Sequence, residues 1–322
     1  MSLISVLLST NEPAPLSVVI AHAVAEATAK QLHVTTTNDP VYKELRRIMV
    51  QDEKANDDVN KWTKEWEEFE KQGAGTPKAS LQLRADQRFQ EIETLYKNYL
   101  EIHPNYAPGH MAYGSFLYDI HEENKAVDEW EKARELDPLN PASWNNLANH
   151  FGHRGPVTNA FVYYAKAMEL NPLEVIYVHN LATTLYLFRK DAQEFFKITE
   201  QEVFDRSLTL YRKAIQITPY DFVLQSDYAQ SYYAIRPMRV KEALGAWNQA
   251  LSLAPSALER EGVYLHLARI ELNSGQFIEA RSHLNLCTNT ELKELKQRLI
   301  RNLERKENPN ETNSVRSNLQ LN

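Results

Sequence analysis

The chain has 322 residues, 43% hydrophobic and 25% charged, enough for a substantial core in about two domains. A net charge of −7 gives no basic footprint and argues against nucleic acid as a partner. Nine glycines leave little material for phosphate-cradling loops, and a single cysteine, Cys287, excludes an internal disulfide and any cysteine-rich metal site.

Residues 1–38 combine the apolar run LISVLL with small-residue sites such as Ala21–Ala23, in the manner of a secretory leader. The positive flank of a leader is missing, and Glu12, Pro13 and Pro15 interrupt the run. Cytoplasm is therefore slightly favoured, with export the alternative if residues 1–27 act as an atypical signal peptide. An Ala/Val-rich helix is expected over 16–34. No run reaches the roughly 18 apolar residues of a membrane span.

Residues 39–104 form a helical extension or degenerate first repeat. Asp39-Pro40 caps a helix whose apolar side runs through Val41, Leu45, Ile48, Ala55, Val59, Trp62, Trp66 and Phe69. GAGTP at 73–77 breaks it, and Thr76-Pro77 starts another helix ending before Pro104. The two tryptophans are expected to pack into the core rather than to form an exposed binding site.

Prolines then recur at 104, 138 and 172, two intervals of 34 residues, and again at 219 and 255. Aligned on them, Ala126, Trp130 and Ala133 fall over Ala160, Tyr164 and Ala167, then Ser207, Tyr211 and Ala214, then Ala243, Trp247 and Ala250. Upstream, Tyr113-Gly114, Leu147-Ala148, Leu181-Ala182 and Tyr228-Ala229 are in register. Five units follow: 107–138, 141–172, 175–219, 222–255 and 261–288, together spanning 105–288. In the last, Cys287 takes a small-residue position as a packed thiol. The third unit carries a 13-residue insert at 189–201, where Asp191 with Glu194 and Thr199 with Glu202 read as capping boxes. Phe195 and Phe196 on it either tuck against the neighbouring helix or meet a partner. Leucines repeat every three or four residues through 289–306, as in a capping helix, and 307–322 read as a polar, disordered tail.

The order large-x2-large-small-x2-large, then small-x3-aromatic-x2-small, then proline resembles the tetratricopeptide-repeat family, in its bacterial-type form, without naming a specific function. The resemblance implies an all-α fold: a right-handed solenoid of about five helical hairpins, with the N-terminal extension and the C-terminal cap added. Small residues such as Ala148 and Ala160 would let paired helices approach closely, and each proline would stop a second helix.

The resemblance also implies that first helices line an inner groove. Its positions here are Met111, Ser115 and Tyr118; Asn145, Asn146 and Asn149; His179, Asn180, Thr183 and Tyr186; Ser226, Asp227, Gln230 and Tyr233; and His266 and Arg269. The cations with which some relatives clamp a C-terminal carboxylate are missing. Asn146 and Asn180, at equivalent positions, resemble instead the asparagine ladder other relatives use to hold extended backbone, since an amide both donates and accepts. Solvated asparagines are the competing reading.

No nucleotide, hydrolase or zinc-protease motif occurs. His150 and His153 have metal-compatible spacing but no third ligand, so capping and solvent contact are their expected roles, and no catalytic residue, metal or cofactor is expected. The expected function is a protein–protein interaction scaffold that receives an extended segment or helix of another protein. The alternative is an exported, periplasmic or envelope assembly factor; an enzyme has no sequence support.

Overall fold

The computed structural model describes residues 39–73 and 77–307, so the expected leader, the 16–34 helix, Thr76 and the C-terminal tail lie outside the described residues. Those residues are helical. α1 (Pro40–Lys71) and α2 (Lys78–Ile102) form the extension. Helix pairs follow as α3 (Ala107–Asp119) with α4 (Glu123–Leu136), and α5 (Pro141–Arg154) with α6 (Val157–Leu170). Next come α7 (Val175–Leu187), the inserted α8 (Arg189–Phe196) and α9 (Glu200–Ile217). α10 (Phe222–Ser231) with α11 (Val240–Leu253), α12 (Ala257–Asn273) with α13 (Phe277–Leu286), and α14 (Lys293–Glu307) complete the chain. The chain divides into two compact units at Tyr177/Val178.

The prolines act through the residue before them. α2, α4, α6, α9 and α11 each stop two residues short of a proline. The intervening His103, Asp137, Asn171, Thr218 and Ala254 have ψ of 59, 81, 88, 77 and 117°, outside the helical region that a following proline ring disfavours. Starts are set by side chains. Asp39 accepts from Val41 N at 2.9 Å and Asn140 from Ala142 N at 3.0 Å, each with proline at the first helical position.

In the first unit, Leu45, Ile48, Ile92, Tyr96, Tyr99, Phe116, Leu117, Trp130 and Leu147 share one core with the small Ala126, Ala133 and Ala142. Gly114 is small for a reason. A Cβ there would lie 2.6 Å from Trp130 Cδ1 and 3.1 Å from the Ala126 carbonyl oxygen. Ala148 and Ala160 are both fully buried on paired helices. The core does not extend to Trp62 or Trp66, which are half-buried on the outer part of α1, against the expectation of core packing.

In the second unit, Phe204, Leu208, Trp247, Val263, Leu267 and Ile270 pack around Ala229, Ala243 and Ala250. Ser207 replaces alanine in the pattern, and its hydroxyl donates to the Ala182 carbonyl at 2.8 Å, so the polar substitute is satisfied. The insert is a separate helix. Thr199 and Glu202 form the expected reciprocal cap of α9, but Asp191 lies inside α8, which begins two residues earlier. Ala192 is buried, Phe196 lies under the Arg206 guanidinium at 5.1 Å, and Phe195 is 42% exposed. α14 lays Leu295, Leu299 and Leu303 against Leu265, Ala268, Leu272 and Leu284. Cys287 is buried there, its thiol within 3.5 Å of the Glu261 and His283 carbonyls.

Candidate functional site

The expected groove residues lie on α3, α5, α7, α10 and α12, the first helices of the five pairs, with Tyr233 just past the end of α10. In the first unit most of them are engaged by the fold. Met111 is buried, and its sulfur lies 3.4 Å from the Asn146 Nδ2 donor. Ser115 turns its hydroxyl back to the Met111 carbonyl at 3.2 Å, the usual satisfaction of a mid-helix serine. Asn145, Asn146 and Asn149 are buried, and the Tyr164 hydroxyl donates to Asn149 Oδ1 at 2.6 Å. Tyr118 is half-buried, its ring 5.3 Å from Trp130 and edge-on to His150. Burial holds His150 and His153 below the ordinary histidine range, which favours the neutral form. Among the described residues no group of three His, Cys, Asp or Glu side chains could hold a metal.

The second unit leaves more of its expected residues accessible. Asn180, Thr183, Tyr186, Asp227, Gln230 and Tyr233 are half-exposed, and Arg269 is exposed. His179 and Asp227, 48 residues apart in sequence, meet at 3.0 Å. The Thr183 and Tyr211 hydroxyls are 2.9 Å apart, and Tyr186 packs against Phe204. Ser226 is buried and returns its hydroxyl to the Phe222 carbonyl at 2.7 Å.

His266 organises the far end. It is buried, stacked on Trp247 at 3.9 Å and 11°, with Nδ1 2.8 Å from the Tyr233 hydroxyl. Burial, aided by the Arg269 charge, pulls its pKa down to about 3, so the ring is neutral. Nδ1 and the Tyr233 hydroxyl share one hydrogen bond, and the hydroxyl also lies 3.4 Å from the His266 carbonyl oxygen. Arg269 lies over the Tyr233 ring at 5.0 Å from its centroid. Tyr233, His266 and Arg269 are each expected in the groove, and the structure brings them together. Trp247, which holds the imidazole flat, is only a packing aromatic in the sequence pattern; its place in the repeat is the available signal.

No family model matches the chain. Its fold is similar to the C-terminal part of a TPR repeat-containing protein from Cytophaga hutchinsonii, with a TM-score of 0.53 and 12% identity over 78% of this chain and 98% of that one. It is also similar to YrrB, described as a TPR protein with an unusual peptide-binding site, with a TM-score of 0.50 and 14% identity over 66% of this chain and 97% of that one. The chain has the tetratricopeptide-repeat fold. Superkiller protein 3 of Schizosaccharomyces pombe matches this tetratricopeptide chain at 25% identity over 222 residues, 67% of the chain. The chain spans only 12% and 15% of the length of the curated relatives it matches. No described helix of the tetratricopeptide array or its extension is long and apolar enough to cross a membrane.

Proposed function

We propose that the chain is a protein-interaction scaffold, receiving an extended segment or helix of another protein on the first helices of its repeats. The observation that carries this reading is the set of half-exposed polar and aromatic side chains on α7, on α10 and just beyond it. Asn180, Thr183, Asp227 and Gln230 offer donors and acceptors, while Tyr186 and Tyr233 offer apolar faces with polar tips. Tyr233 is fixed between the His266 nitrogen and the Arg269 guanidinium of α12, so little side-chain entropy remains to be lost on binding. The peptide-binding site named for YrrB supports a peptide as the ligand class. Met111, Asn145, Asn146, Asn149, Ser226 and His266 are buried and so are closed to a ligand.

The test is affinity for a partner recovered with the intact chain. Asn180→Ala combined with Arg269→Ala should weaken binding by roughly 1–3 kcal/mol through unpaired ligand groups, with melting unchanged. Equal affinity in the folded double variant would place the binding site elsewhere.

A further inference from the structure

The outer part of the α1–α2 hairpin projects past the repeat it is attached to. α1 and α2 are 32 and 25 residues long, whereas α3, against which α2 packs, has only 13. α1 gives side chains to the core only as far as Ala55, and α2 only from Phe89 onward. The stretch of α1 beyond Ala55 runs about 24 Å at the helical rise. Even so, its hydrophobic stripe continues there. Trp62, Trp66 and Phe69 recur at one helical face and, with Leu81 of α2, line a notch of about 400 Å³. Phe69 is 55% exposed, an unusual place for a phenylalanine beside two tryptophans.

The two walls of the notch carry opposite charge. Glu65 lies on the α1 wall and Arg84 on the α2 wall. The Arg84 guanidinium is 3.6 Å from the centre of the Trp62 ring. Glu65 lies 3.9 Å from Lys61, in an i,i+4 contact whose side chains are both exposed. An aromatic floor between one acidic and one basic wall is complementary to itself. A two-fold axis parallel to the hairpin sets each α1 wall against the α2 wall of the other copy, and every acid then meets a base.

We propose that this notch is the contact between two copies of the chain. The two hairpins point the same way in a four-helix arrangement, α1 of each copy facing α2 of the other, the aromatic stripes meeting and Glu65 of each copy against Arg84 of the other. The contact is separate from the groove, since none of its residues lies on α7, α10 or α12. Its failure and that of the scaffold reading are therefore distinguishable.

Sedimentation velocity of the full chain over a wide concentration range is the test. The wild type should dimerise reversibly, and Glu65→Arg or Arg84→Glu alone should each weaken self-association roughly tenfold or more through like-charge contact. Mixing those two variants should restore dimers, because each new charge then faces its opposite. Trp66→Ala should weaken the dimer too, and far-UV spectra establish that each variant folds. A wild type monomeric at every concentration overturns the proposal and leaves the notch to another protein. A dimer indifferent to both charge reversals, or a mixture of folded variants that stays monomeric, overturns it as well.

Discussion

Asp52 sits half-buried on α1, accepting from the Tyr96 hydroxyl at 3.0 Å and from Asn56 Nδ2 at 3.0 Å. Burial raises its pKa from 3.8 to about 7, with Asp119 and Glu53 adding to the rise and the two hydrogen bonds opposing it. The folded state thus favours the protonated acid. The associated stability is fully present below 3.8 and lost as pH rises through about 7. His110 acts in the same direction. Burial lowers its pKa, but Glu129 at 2.6 Å and the Pro104 carbonyl at 2.9 Å outweigh that, and the net shift is upward. Asp52→Asn keeps an acceptor for Tyr96 and removes the charge. It should stabilise the protein by roughly 1–2 kcal/mol at about pH 8, with the gain vanishing below about pH 4. Thermal melts across that range decide it, and a gain that ignores pH would show that the charge is not the cause. Two glycines make a second pair of expectations. Gly114→Ala drives a methyl into Trp130 and should cost about 1–3 kcal/mol. Gly245 lies inside α11, and a Cβ there would meet nothing within 4 Å, so Gly245→Ala should stabilise by about 0.5–1 kcal/mol. Opposite signs in urea melts are the expected outcome; equal signs would contradict the local packing.

At the scale of helices, the capping helix α14 is held by one stripe. Leu295, Leu299 and Leu303 are buried at successive turns, and Lys306 Nζ reaches the Leu272 carbonyl at 3.2 Å. Leu303→Ala should therefore cost roughly 2–5 kcal/mol, whereas the exposed Arg301→Ala should stay within about 0.5. Chemical denaturation of both compares them directly, and equal losses would mean that α14 is not seated by this face. The helices and their pairing were legible in the chain because prolines and small residues answer steric demands that recur with each hairpin. Accessibility was not legible. Asn146 and Asn180 occupy the same repeat position, yet Asn146 is buried beside the Met111 sulfur and Asn180 is half-exposed. A repeat pattern fixes the direction of a side chain and says nothing of what lies over it. The α1 stripe misled for a related reason. Its period runs unbroken past Ala55, where the shared core ends and α2 still runs alongside, so the same spacing describes a core face and an exposed one. Asp191 with Glu194 matches a capping box as well as Thr199 with Glu202 does, but the start of α8 at Arg189 puts Asp191 in its first turn.

For the molecule as a whole, repeat architecture makes stability nearly a sum of nearest-neighbour terms. The described residues form two compact units, 39–177 and 178–307, each with a core of its own. A local defect should then be felt locally. Gly114→Ala is expected to lower amide hydrogen-exchange protection in α3 to α6 and to leave α10 to α13 at the wild-type level. A uniform loss of protection throughout would instead mean that the chain opens as one cooperative body.

Cys287 turns this architecture into a clock. It is the single thiol of the chain, and burial raises its pKa to about 12, so the closed form holds almost no reactive thiolate. A soluble disulfide reagent can reach that sulfur only when α12, α13 and α14 part. At reagent concentrations where labelling outruns reclosing, its rate of labelling in the native chain therefore times the opening of the last hairpin from its cap, with no residue changed.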